Sequence, residues 1–148
     1  MNTDLNKSRQ LILAVQTLFE QMDKPDFEPS SFDQVYASHI HFEDSFHQLE
    51  GLDNFKQYCA SLYQNLQYCR FSFHSFIVEP GQGMTRWTMD YAHPRLNGGR
   101  NIQVDGCSFL QFEDKVVMHR DYFDGGQLLY EHVPVLGRLV KFVKHRMV

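Results

Sequence analysis

Long apolar runs are missing from this sequence. No stretch approaches the roughly 20 consecutive apolar residues that cross a bilayer, so no membrane-spanning helix is expected. The opening "MNTDLNKSRQ" is polar and lacks the layout of a secretory signal, which predicts a cytoplasmic protein. Cysteine is scarce: Cys59, Cys69 and Cys107 are odd in number and are not in metal-ligand spacing. That argues against a disulfide framework and predicts three free thiols in a reducing compartment. Positive charge is short as well. The 14 Lys and Arg stand against 18 Asp and Glu, a net charge of −4, so no nucleic-acid-binding surface is expected. Repeats, low-complexity stretches and linkers are absent. One domain is expected over residues 1–148, with a basic helical tail from about residue 126.

Aromatic residues are plentiful instead. Thirteen Phe and seven Tyr are enough to line a cavity as well as fill a core. Leu11, Ile12, Val15, Leu18, Phe19 and Met22 fall on one helical stripe and predict a helix over about 8–22. The two prolines of "DKPDFEPSS" end it. Ser31 is placed to cap a short helix over 32–37. "HIHFED" alternates as a strand does. Leu52, Phe55, Cys59, Leu62 and Leu66 restore helical spacing. Strands are expected over about 68–79, 84–93, 100–112 and 116–123, separated by the turns "EPGQG", "PRLNGG" and "EDK". The remainder reads as a helix interrupted at Pro134. Helices followed by a run of strands make an α+β layout.

The stretch "HRDYFD" at 119–124 concentrates charge beside rings. Side chains alternate along a strand, so Val117, His119, Asp121 and Phe123 share one face, and Val116, Met118, Arg120 and Tyr122 the other. Both faces carry apolar residues, so both are expected to be covered. A covered carboxylate must be paired, hydrogen-bonded or functional. Asp121 is therefore either half of a structural ion pair or part of a pocket wall.

The order of these elements resembles the NTF2-like superfamily, which includes ketosteroid isomerases, SnoaL-like polyketide cyclases and limonene-epoxide hydrolases. The resemblance runs from about Leu11 to Tyr130. It is carried by "VYASHIHFEDSFHQLEGLDNFKQY", "TRWTM" and "GCSFLQFEDKVVMHRDYFD". It implies a cone: a curved, antiparallel or mixed sheet wrapped around a pocket, with the N-terminal helices packed on it. It also implies a homodimer formed through the outer sheet face. In ketosteroid isomerases the general base is the Asp of a "Y-A-x-x-A-x-x-E-D-P" stretch; "YASHIHFEDS" places Asp44 there, with Ser45 at the proline. The isomerase oxyanion hole takes a protonated Asp four residues before the Phe that ends the long strand; counting back from Phe112 gives Ser108. Its second donor is a Tyr on the first helix, and no tyrosine precedes Tyr36. The epoxide hydrolases use an Arg–Asp pair on a middle strand, here matched to Trp87 and Met89, and an Asp in a "W-R-D-Y-F-D"-like stretch, here Asp121. The resemblance turns His119, Asp121 and Phe123 inward.

Two functions remain open at this stage. In the first, Asp44 moves a proton on a small hydrophobic carbonyl or polyketide-like compound. Burial after an apolar strand makes it a usable base, and Asp121, His119 and His47 assist. Trp87, Met89, Ser108 and Phe123 hold the substrate, and no cofactor is required. In the second, the fold binds a small ligand or a protein without chemistry, Asp44 caps a turn and His119–Asp121 is a satisfied core pair. "HIH" gives two histidines at strand spacing without a third ligand, so no metal site is expected. "LGRLVKFVKHRM" is amphipathic and basic. It suits an anionic membrane surface, although such helices more often pack on their own domain or on a dimer partner.

Overall fold

The computed structural model describes residues 4–148. The first helix, α1 (Leu5–Gln21), starts three residues earlier than its apolar spacing predicts, because the Asp4 side chain accepts the Lys7 N–H at 2.7 Å and caps it. Leu11, Ile12, Val15, Leu18 and Phe19 are its buried stripe. A 3-10 turn, Pro29–Ser31, leads into α2 (Phe32–Val35). Here the sequence expectation fails twice. Ser31 makes no capping bond, since it sits in the preceding 3-10 turn, and α2 ends at Val35 because Tyr36 already has extended backbone.

Strands β1 (Tyr36–Glu43) and β2 (Gln48–Glu50) flank a tight turn, and α3 (Leu52–Gln64) follows. β3 (Tyr68–Glu79), β4 (Gln82–Ala92), β5 (Ile102–Phe112) and β6 (Val116–Phe123) complete the sheet. The strand order is β2-β1-β6-β5-β4-β3. All neighbours are antiparallel except β1 and β6, which are parallel, so the sheet is mixed. It is curved and unclosed. Register shifts at Phe73/Phe76, Gln111/Phe112 and Tyr36/His41 mark the irregularities that bend such strands.

The main core joins α1, α2 and α3 to the concave sheet face through Ile12, Val15, Tyr36, Ile40, Phe55, Leu110 and Val116. A smaller cluster, built on Cys69, Tyr91, Ile102 and Val104, closes the other end. The chain finishes with α4 (Gly125–Leu128), a 3-10 turn at Tyr130–His132 and α5 (Leu136–Arg146), so the predicted break at Pro134 is present. Among the described residues no helix is long and apolar enough to cross a membrane.

Candidate functional site

Between the concave sheet face and the helices lies a cavity of about 360 Å³. Its helical wall is mostly α3, through Phe55, Tyr58, Cys59, Leu62 and Tyr63, while α1 contributes Phe19. The stripe of α3 that packs on the sheet leaves Tyr58 and Tyr63 on its flanks, facing this space. Trp87, Met89 and Tyr91 come from β4, where alternate residues share a face, and Asp121 and Phe123 come from β6 in the same way. Asp44, Phe46 and His47 come from the turn between β1 and β2.

Asp121 is the end point of a buried hydrogen-bonded network. Its Oδ1 accepts from Ser108 Oγ at 2.6 Å and pairs with His119 Nε2 at 2.7 Å. Behind them, Trp87 Nε1 donates to Ser108 Oγ at 2.9 Å, and the Tyr36 hydroxyl lies 2.8 Å from His119 Nδ1. Tyr36 is wholly buried, and that burial, with the Asp121 charge nearby, pushes its phenol well above the usual range. The phenol therefore keeps its proton. It meets His119 at Nδ1, while Nε2, facing the Asp121 carboxylate, is the donor of that pair. Both bonds that reach Asp121 end on Oδ1, and no hydrogen bond among the described residues falls on Oδ2. His119 is 1% exposed and is packed among the rings of Phe19, Tyr36, Phe42 and Phe55 at 5.2–5.9 Å.

Asp44 is also buried, at 7% exposure, but its oxygens are used differently. Oδ1 accepts the backbone N–H of Phe46 and of His47, each at 2.8 Å. Oδ2 accepts the Tyr58 hydroxyl. Burial, then this bond to Asp44, pushes the Tyr58 phenol far up, so it remains a donor. His47, half exposed at the rim, has Nδ1 3.2 Å from Tyr58 Oη and 3.6 Å from Asp44 Oδ1. On the outer face, Arg120 pairs with Glu43 at 3.1 Å, donates to the Asp44 carbonyl at 2.7 Å, and covers the Tyr122 ring. That places Arg120 and Tyr122 as strand alternation predicts.

Six of the eight residues singled out in the sequence line the cavity: Asp44, His47, Trp87, Met89, Asp121 and Phe123. Ser108 and His119 do not. They lie behind Asp121, against a second void of about 10 Å³, where both bond Asp121 and Ser108 also accepts from Trp87. Tyr36, Tyr58 and Phe46 are additions the sequence reading missed. Tyr58 follows Phe55 at helical spacing and was open to discovery; Tyr36 carried no signal that it would meet His119, 83 residues on. His41, one of the two strand-spaced histidines, is tied to Glu43 at 2.8 Å and to Glu50. Among the described residues no group of three or more His, Cys, Asp or Glu is placed to hold a metal ion.

The sequence pattern of the SnoaL-like domain matches residues 15–119. The chain belongs to the SnoaL-like family. Its fold is shared with solved structures at low identity. A candidate SnoaL-like polyketide cyclase from Jannaschia sp. CCS1 is 16% identical with a TM-score of 0.68, covering 79% of this chain and 87% of that one. An epoxide hydrolase of the limonene-epoxide-hydrolase type from M. tuberculosis is 17% identical with a TM-score of 0.65, covering 80% and 81%. A protein with a ketosteroid isomerase-like fold from Catenulispora acidiphila, solved with trimethylamine, is 9% identical with a TM-score of 0.68, covering 78% and 88%. No curated protein sequence matches. These neighbours establish the NTF2-like cone, a scaffold on which SnoaL-like proteins carry many chemistries.

Proposed function

We propose that this SnoaL-like protein catalyses proton transfer on a small hydrophobic carbonyl or polyketide-like compound, with Asp121 taking the proton. The observation that carries this reading is the placement of the Asp121 hydrogen bonds. Ser108 and His119 both serve Oδ1, so Oδ2 is left for substrate in a wall built mainly of rings. A base held on one oxygen and open on the other needs no rearrangement to act.

The step itself balances without a cofactor. Asp121 Oδ2 removes a proton from the carbon beside the carbonyl, and the C–H electron pair moves into an enolate. The proton then returns to another carbon, which is isomerisation. Alternatively the enolate carbon attacks a second carbonyl of the same molecule, and the proton goes to the new alkoxide oxygen, which closes a ring. Trp87, Met89 and Phe123 hold the apolar body of the substrate. The Tyr58 hydroxyl, whose single proton is held by Asp44 Oδ2, serves the negative charge developing on the carbonyl oxygen only by turning from Asp44 to it. His119 and Ser108 position Asp121 and touch no substrate. The roles of the two carboxylates are thus exchanged relative to the family alignment, which names Asp44 as base.

A second reading, a ligand-binding module without chemistry, is supported by Asp44, both of whose oxygens are already taken by the chain. Hydrogen–deuterium exchange separates the two. A bicyclic ketone such as 2-tetralone is incubated with the protein in heavy water, and loss of the α-proton signal is followed by NMR. Accelerated exchange that falls by about 10²–10⁴-fold in Asp121→Asn supports catalysis. Saturable ketone binding with no acceleration supports the binding module, and neither binding nor exchange overturns both.

A further inference from the structure

We propose that α5 docks on an anionic lipid surface. The helix turns its apolar side away from its own domain: Leu136, Leu139, Phe142 and Val143 are 40%, 57%, 59% and 51% exposed. At 100° per residue they share one side of the helix with Val140, and Arg146 is the one charged residue within that arc. The domain is met elsewhere on the helix. A Cβ at Gly137 would come within 2.4 Å of the Glu131 carbonyl, so α5 presses its backbone onto the Tyr130–His132 turn. Lys144 stitches the same side down, 2.8 Å from Glu131 and 3.2 Å from Asp124. These contacts leave the apolar arc uncovered by the described residues.

Charge selects the occupant. Four of the fourteen Lys and Arg of the chain lie within Leu136–Arg146, with no Asp or Glu among them, although the net charge is −4. Arg138 borders the arc next to Phe142, Arg146 lies within it between Phe142 and Leu139 with its guanidinium 5.8 Å from the Phe142 ring centre, and Lys141 lies opposite. An apolar face flanked by basic residues matches the boundary between acyl chains and anionic headgroups. A nucleic acid would leave the apolar face unused, and a second α5 would bring like charges together. Leu128 and Leu129 of the cavity wall immediately precede the turn on which α5 rests.

Vesicle flotation of the full chain tests this, using phosphatidylcholine vesicles with and without phosphatidylglycerol. The protein is expected to float with the anionic vesicles, and not with the neutral ones or at high salt. Each basic residue near an anionic surface contributes about fivefold to partitioning, so Arg138→Gln with Arg146→Gln is expected to cut it roughly 25-fold. Leu139→Glu with Phe142→Glu is expected to abolish it. All four side chains are exposed, and unchanged emission from the lone Trp87 shows that the fold is kept. Equal flotation with neutral and anionic vesicles, or wild-type flotation by both double variants, overturns the proposal. So does a wild-type dimer that ignores vesicles and dissociates in Leu139→Glu/Phe142→Glu, which would assign the face to a second copy of this chain.

Discussion

Gly106→Ala probes how firmly the cavity wall is set. Gly106 faces Trp87 across the β4–β5 ladder. A Cβ there would meet the indole at 2.3, 2.6 and 2.8 Å, whereas ordinary contact starts at 3.4 Å, so the ring must retreat by about 1.1 Å. It has little room to do so. Nε1 is bound to Ser108 at 2.9 Å, and Phe71 packs edge-on with ring centres 5.2 Å apart. The open direction is into the cavity, at the expense of the Ser108 bond. Overpacking of this kind costs about 1–3 kcal/mol. The added methyl returns about 0.4–1 kcal/mol by restricting the unfolded chain. The steric effect wins, and a net loss of about 1–2 kcal/mol lowers Tm by roughly 2–8 °C for a chain of this size. Trp87 is the only tryptophan, so its fluorescence reports the displaced ring directly. A Gly106→Ala variant with wild-type emission and an unchanged Tm would refute the account of this wall.

Three further outcomes are expected. All three cysteines are free; burial pushes the thiols of Cys59 and Cys69 up, the latter to about 12, so both should resist alkylation in the folded protein, and mass measurement after denaturation without reductant should find three adducts. The hydrogen bonds His41 donates to Glu43 and then to Glu50 raise its pKa above the ordinary 6.5. Its charged form is therefore favoured by folding, and the gain is complete below 6.5 and lost as pH rises through the raised value. Denaturant titrations on either side should differ by less than about 1 kcal/mol for so exposed a pair, and the difference should vanish in His41→Asn. A 3-oxo-Δ5-steroid should be isomerised very poorly, since Ser108 already spends its proton on Asp121 and α1 carries no tyrosine. Each lost oxyanion donor costs about 10²–10³-fold, and efficient turnover abolished by Asp44→Asn would show that the donor site has been misread.

Much of the fold was readable because its signals are local. The α1 stripe, the alternation of β6 and the turns between strands each lie within a dozen residues, and periodicity alone places His119, Asp121 and Phe123 on one face. The three-residue strand β2 was too short to show alternation. The cap of α1 was missed because Asp4 lies ahead of the first apolar position. The site was legible only as residue types. That Ser108 and His119 stand behind Asp121 depends on β5–β6 pairing, which sets Ser108 opposite Asp121. That Tyr58 claims Asp44 depends on how α3 docks against the turn at 44–47. Neither follows from spacing along the chain.

The two carboxylates differ in what catalysis would cost them. Asp44 builds its turn: its N–H donates to the His47 carbonyl at 3.0 Å, while its side chain receives two amides and a phenol. To take a proton it must release at least one of these donors, and a hydrogen bond to a charged group contributes about 1.5–3 kcal/mol. That is roughly a tenfold to hundredfold loss in rate before any chemistry begins. Asp121 has no such penalty, because its supporting bonds gather on Oδ1. An asparagine at 44 keeps one carbonyl oxygen for the two amides and can still accept from Tyr58 only by giving them up, so Asp44→Asn should loosen Tyr58 and weaken exchange in part. An asparagine at 121 removes the proposed base. The deuterium-exchange rates should therefore rank wild type, then Asp44→Asn, then Asp121→Asn, and the reverse order of the two variants would return the base to Asp44.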